Sequence, residues 1–212
     1  MEFFTSSLNP INTLIFITLL NLSLSNGFLK KDFLLFLILF ISLSNEILLI
    51  YNKLHPINID LFVSLYIILN AFFWFCILQK HLTYVHFFML CIALYLISSS
   101  YIVFFEDKLK INKITFVLGA FIYLTFVFFE SFYQLKKENL SFFNQNKFIL
   151  IIAPLLFFLG FSLMFGFVKR DIRETLIFGN INLYKFVSYY VNLIYYSIIN
   201  IYIIKEFRLK NG

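Results

Sequence analysis

Seven long apolar stretches, parted by short polar loops, constrain this 212-residue chain more than any other feature. They lie near residues 9–24, 33–51, 57–79, 82–105, 114–135, 148–168 and 186–207. Crossing the hydrocarbon core of a bilayer takes about 20 apolar residues as a helix. In lipid only helices and closed barrels satisfy every backbone polar group. These runs are continuous and not alternating, which excludes a barrel. The expected fold is therefore all-α: a single polytopic transmembrane domain over 1–212, with seven helices. The count becomes six if the first run, broken by Asn12, Thr13, Thr18 and Asn21, lies flat at the interface.

Composition agrees with a lipid-facing surface. Hydrophobic residues make up 61% of the chain and charged residues 13%, against about 45–50% and about 25% in soluble domains. A soluble globule of this size could not hide so much apolar surface. No loop can hold a soluble domain, so any machinery sits within the bundle or on a partner. The net charge of +6 is spread through short loops, where Lys and Arg meet anionic headgroups. Membrane lipids are the expected surroundings, and nucleic acid is not an expected partner. The 32 Phe and 13 Tyr follow the residue skew of an AT-rich genome, so the Phe excess is read as lipid-facing filler and not as a cofactor cage.

Cys76 and Cys91 fall inside apolar runs, with no CxxC pair and no Cys/His cluster. Neither a disulfide framework nor a zinc site is expected. His55, His81 and His86 are dispersed, the seventh run has lysines only at its flanks (Lys185, Lys205), and Walker A, HExxH and TVGYG motifs are absent. No catalytic residue, metal or cofactor is assigned. The N-terminus carries no basic region ahead of its apolar run and no small-residue cleavage site follows, so the first run is expected to be retained.

Ionisable groups within a span are costly and mark either function or a structural partner. Glu46, in Ser44-Asn45-Glu46, lies well inside the second run, and Glu130 lies near the end of the fifth. If the side holding the chain's start is called A and the other B, alternating helix direction places Glu46 in the A half and Glu130 in the B half. The two carboxylates are then too far apart for a paired acid/base constellation. The same reckoning brings Ser64, Tyr66 and Asn70, Ser98, Ser99 and Ser100, and Asn192 to the depth of Asn45 and Glu46. Tyr66, Asn70 and Trp74 recur every four residues, as do Ser188, Asn192, Tyr196 and Asn200, so each set lines one helix face. These patterns predict a polar pocket in the A half, lined by the second, third, fourth and seventh helices. Its candidate residues are Asn45, Glu46, Tyr66, Asn70, Ser98, Ser99, Asn192 and Tyr196. The competing reading is that such Asn and Ser residues are interhelical packing contacts, and that Glu46 makes a buried structural hydrogen bond. Pro154 is expected to kink the sixth helix and free backbone carbonyls.

Ser44-Asn45-Glu46, the Leu65-Tyr66-Ile67-Ile68 stretch, the aromatic and glycine-containing sixth run (Pro154 to Phe167) and the Asn192/Asn200 seventh run resemble a group of small seven-helix membrane proteins common in Bacteroidota. The resemblance implies an acidic residue in the third helix, where this chain has Asn70. Lys and Arg divide almost evenly between the two sides. The Lys30-Lys31 pair after the first run favours B as cytoplasmic, in a bacterial inner membrane with the N-terminus outside. The expected function is a non-enzymatic membrane module, a sensor or a subunit of a larger complex, with a membrane-protein partner such as a signalling kinase or other complex subunits. The alternatives are a membrane-embedded lipid-modifying enzyme using Glu46 as acid/base, and a small transporter, for which no inverted repeat is visible.

Overall fold

A computed structural model describes residues 10–24, 32–105, 108–166, 175–178 and 181–211. Asn9, the Lys30-Lys31 pair on which the expected orientation rests, Glu106-Asp107 and the stretch 167–174 lie outside the described residues. The described chain is a helical bundle: α1 (Pro10–Leu24), α2 (Phe33–Leu54), α3 (Asp60–Gln79), α4 (Val85–Phe105), α5 (Lys108–Lys136), the short α6 (Ser141–Asn144), α7 (Asn146–Gly166) and α8 (Leu183–Asn211). Six of these helices are long and apolar enough to cross a membrane. The chain is a multi-pass membrane protein by this architecture. Helix α1, at 15 residues, reaches about 22 Å and falls short of the hydrocarbon thickness of about 30 Å.

Local chemistry sets the ends of the helices. Helix α2 stops because His55 precedes Pro56 and takes the extended backbone that a following proline demands. The Asn58 side chain then accepts from the Asp60 N–H at 3.1 Å, turning the chain into α3. Helix α8 opens on Asn182, whose Oδ1 accepts from the Lys185 N–H at 2.9 Å, an N-cap bond. Ahead of it stands a short antiparallel hairpin, Leu176–Phe178 (β1) with Ile181–Asn182 (β2), which the sequence pattern does not announce.

The packing order gives the architecture its shape. Helices α1, α2, α3, α5, α7 and α8 each pack on the next, and α8 returns to α1, closing a ring. Helix α4 packs on α3 and α5 and stands outside that ring. Its Leu90, Leu94, Ile97 and Tyr101 form an exposed apolar stripe suited to lipid.

The polar residues that weaken the first run are the ones that dock it. Asn21 donates to Asn200 Oδ1 and Asn200 donates to Thr18 Oγ1, both at 2.8 Å, which ties α1 to α8. Opposite, α7 and α8 meet closely at Gly160, where an added Cβ would come within 2.6 Å of Val191 Cγ2. Pro154 lacks the N–H that would bond the Leu150 carbonyl. The neighbouring Ile151 carbonyl accepts from the Tyr123 hydroxyl at 2.8 Å.

Candidate functional site

The ring encloses a cavity of about 230 Å³ in its A half. Helix α2 contributes Ser42, Asn45 and Glu46 at i, i+3 and i+4, one face of one helix. Helix α3 adds Tyr66 and Asn70, and α8 adds Ser188, Asn192 and Tyr196. Six of the eight residues singled out from the sequence thus line one space: Asn45, Glu46, Tyr66, Asn70, Asn192 and Tyr196.

Ser98 and Ser99 do not, and the expected contribution of the fourth helix is corrected here. Helix α4 lies outside the ring, and none of its described residues lines the cavity. Ser98 donates to the Tyr95 carbonyl of its own helix at 3.0 Å, and Ser99 is fully buried away from the cavity. Depth along the membrane was legible for these serines, but azimuth was not. Three consecutive serines sweep more than half a helical turn and indicate no face.

Two walls were missed. Helix α1 supplies Ile11 and Ile15, and the inner floor is aromatic: Phe116 from α5 with Phe157, Phe158, Phe161 and Phe165 from α7. The α7 set falls at i, i+1, i+4 and i+8, a single helix face. That spacing was available in the sequence but hidden by the general excess of phenylalanine.

Outside the inner cavity lies a wider vestibule of about 980 Å³ that opens at the A side. Ile11, Glu46, Tyr184 and Ser188 border both spaces, so Glu46 stands at the neck between them. The vestibule carries Lys53 and Lys185 among apolar and aromatic residues of α8 and Ile181 of the hairpin. Lys53 is seven residues beyond Glu46 on α2 and borders the vestibule with it.

Hydrogen-bonding capacity in the cavity is unevenly used. The Ser42 hydroxyl donates to the Ile38 carbonyl and the Asn192 amide donates to the Ser188 carbonyl, each at 2.8 Å. The Ser42 hydroxyl hydrogen and one of the two Asn192 amide hydrogens are thus spent inside their own helices. Asn70 is only 4% exposed and its Oδ1 has no hydrogen-bond partner, which costs about 1–3 kcal/mol while it stays unmet. Glu46 has no hydrogen bond or ion pair among the described residues.

An aromatic plug closes the cavity from the B half. Trp74 is fully buried and donates from Nε1 to the Tyr195 hydroxyl at 3.2 Å. Its ring stands edge-on to Tyr195 at 6.0 Å and to Tyr123 at 6.3 Å, while Phe157 lies 5.0 Å from Tyr195 and Phe158 5.1 Å from Tyr123. Beyond the plug, at the B mouth of the ring, a separate pocket of about 260 Å³ is lined by Asp32, Lys80, His81, Lys147 and Tyr202 over an apolar base. Burial and the charges of Lys147 and Lys80 lower the pKa of His81.

Glu130 has a structural place. It is 3% exposed and accepts from the Thr83 N–H and hydroxyl, both at 2.9 Å, and from Gln134 at 2.6 Å. It therefore anchors the start of α4 to α5, where the positive end of the helix favours a carboxylate. Among the described residues no three His, Cys, Asp or Glu side chains gather in a metal-ligating group. No family model, no curated protein and no solved structure matches the chain.

Proposed function

We propose that this chain is a non-enzymatic integral membrane module, a sensor or a subunit of a larger membrane complex, that binds a small amphiphile in the cavity at Glu46. The observation that carries this reading is a cavity inside a closed ring with one polar and one aromatic wall, in which the buried Asn70 Oδ1 has no partner. An intramembrane polar cavity is costly when empty and is retained for what it binds. Among the described residues one carboxylate lines the cavity, which supports binding over acid/base chemistry. The aromatic plug at Trp74 and Tyr195 supports a receptor more than a carrier, since passage would require that packing to come apart. Because α7 and α8 both line the cavity and pack closely on each other, occupancy bears directly on the outer faces they offer to a membrane partner such as a kinase or other subunits. In this reading the membrane is a bacterial inner membrane, and the vestibule opens to the outside.

The test is purification in a mild detergent followed by native mass spectrometry, alongside the variants Asn70→Leu and Glu46→Gln. The expected result is an intact small molecule held one to one by the wild type and depleted in both variants. Equal retention in all three proteins would overturn the reading. Recovery of the molecule chemically altered after incubation would favour the enzyme.

A further inference from the structure

The cavity and the vestibule differ in chemistry, and the difference specifies a ligand. The inner cavity offers the Glu46 carboxylate and the unpartnered Asn70 oxygen as acceptors, and among the described residues no cationic side chain lines it. Its floor is five phenylalanine rings, whose faces attract cations but cannot hydrogen-bond an anion. A positively charged donor answers all three features at once. The vestibule has the opposite bias, with the exposed ammonium groups of Lys53 and Lys185 set among Tyr184, Phe186, Tyr189 and Tyr190. That combination suits an anion attached to an apolar tail. The two spaces communicate at Glu46, about 10 Å along α2 from Lys53.

We infer that the site takes a zwitterionic amphiphile whose terminal ammonium enters the inner cavity against Glu46 and the phenylalanine floor, while its phosphate remains in the vestibule with Lys53 and Lys185. A simple cation would have to pass two lysines unaided, and a simple anion would meet Glu46 at the neck. Only a ligand carrying both charges in this order complements both spaces. The inference rests on the cavity being a ligand site, as proposed above, and specifies the class of ligand.

Three probes with the same tail separate the contributions: dodecylphosphocholine, dodecyl phosphate (no ammonium) and dodecyltrimethylammonium (no phosphate). Each is titrated into the full chain in maltoside micelles, and thermal unfolding is followed. At a hundredfold excess over Kd the zwitterion is expected to raise the midpoint by about 5–10 °C, with each single-charge probe binding at least about tenfold more weakly. Glu46→Gln removes the advantage of the zwitterion over dodecyl phosphate, while Lys53→Gln with Lys185→Gln removes its advantage over dodecyltrimethylammonium. If Glu46→Gln does not fold, Phe161→Leu with Phe165→Leu serves in its place, weakening both ammonium probes and sparing dodecyl phosphate. The inference is overturned if dodecyl phosphate stabilises as well as the zwitterion, or if no variant changes the order of the probes. In those cases a co-purified ligand would still stand. If none of the probes binds and nothing co-purifies, the underlying reading falls as well.

Discussion

Replacing Gly160 with alanine tests whether the closed ring depends on the close approach of α7 and α8. The new Cβ would lie 2.6 Å from Val191 Cγ2 and 3.6 Å from Val187 Cγ1. Carbon atoms settle at about 3.5–4.0 Å, so the shortfall at Val191 is about 1 Å. Val191 cannot readily turn aside, because a valine in a helix keeps one χ1 rotamer about 90% of the time. The helices must then separate along the most extensive contact in the bundle, which also forms a cavity wall through Phe157, Phe161, Ser188 and Asn192. Overpacking of this kind costs about 1–3 kcal/mol, which corresponds to a fall in Tm of about 2–12 °C for a chain of this size. Cys76 and Cys91 are partly buried free thiols, so unfolding can be followed with a maleimide dye in detergent. Val191→Ala removes the clashing methyl groups. The double variant should therefore be more stable than the sum of the two single changes implies, by about 0.5–3 kcal/mol of coupling. An unchanged Tm for Gly160→Ala, or strict additivity in the double variant, would mean that the ring does not depend on the contact of Gly160 with Val191.

Glu130→Ala leaves the Thr83 N–H, the Thr83 hydroxyl and Gln134 without their acceptor, and is expected to lower stability by about 1–3 kcal/mol. Glu130→Gln, which keeps one acceptor oxygen, should lose less, and hydrogen exchange in the first turn of α4 should rise in the same order. Asn200→Leu removes the bonds to Thr18 and Asn21, worth about 0.6 kcal/mol each. A cysteine at Leu22, a fully buried position, should label faster in that background, and unchanged labelling would mean α1 is held by apolar packing alone. His81 has a pKa below its ordinary 6.5, so the unfolded chain takes up a proton that the folded chain resists. Its contribution is therefore nil above that value, and stability is lost as pH falls below it. The drop in Tm between pH 8 and pH 5 should shrink in His81→Gln, and also in Lys147→Gln, which removes one of the two repelling charges.

The order of residues along the chain is enough to establish the apolar surroundings, the class of fold and the depth of the polar groups. Continuous apolar runs admit only spanning helices, and alternating helix direction converts position in a run into depth. That is why Asn45, Glu46, Tyr66, Asn70, Asn192 and Tyr196 could be brought to one level, and why Glu46 and Glu130 separate into opposite halves. Periodicity of four also identified inward faces where polar residues recur, on α3 and α8. Which helices are neighbours emerges only from packing, because a pattern fixes a face relative to its own axis and never names the helix opposite. Only the packing order put α4 outside the ring, removing Ser98 and Ser99 from the site, and turned the polar interruptions of α1 into its contacts with α8. It also turned phenylalanines that read as lipid filler into the floor of a cavity. The hydrophobic effect cannot distinguish lipid from the inside of an apolar bundle, so an aromatic residue carries no mark of which it faces. That choice is made by the close contacts of the helices, such as Gly160 against Val191.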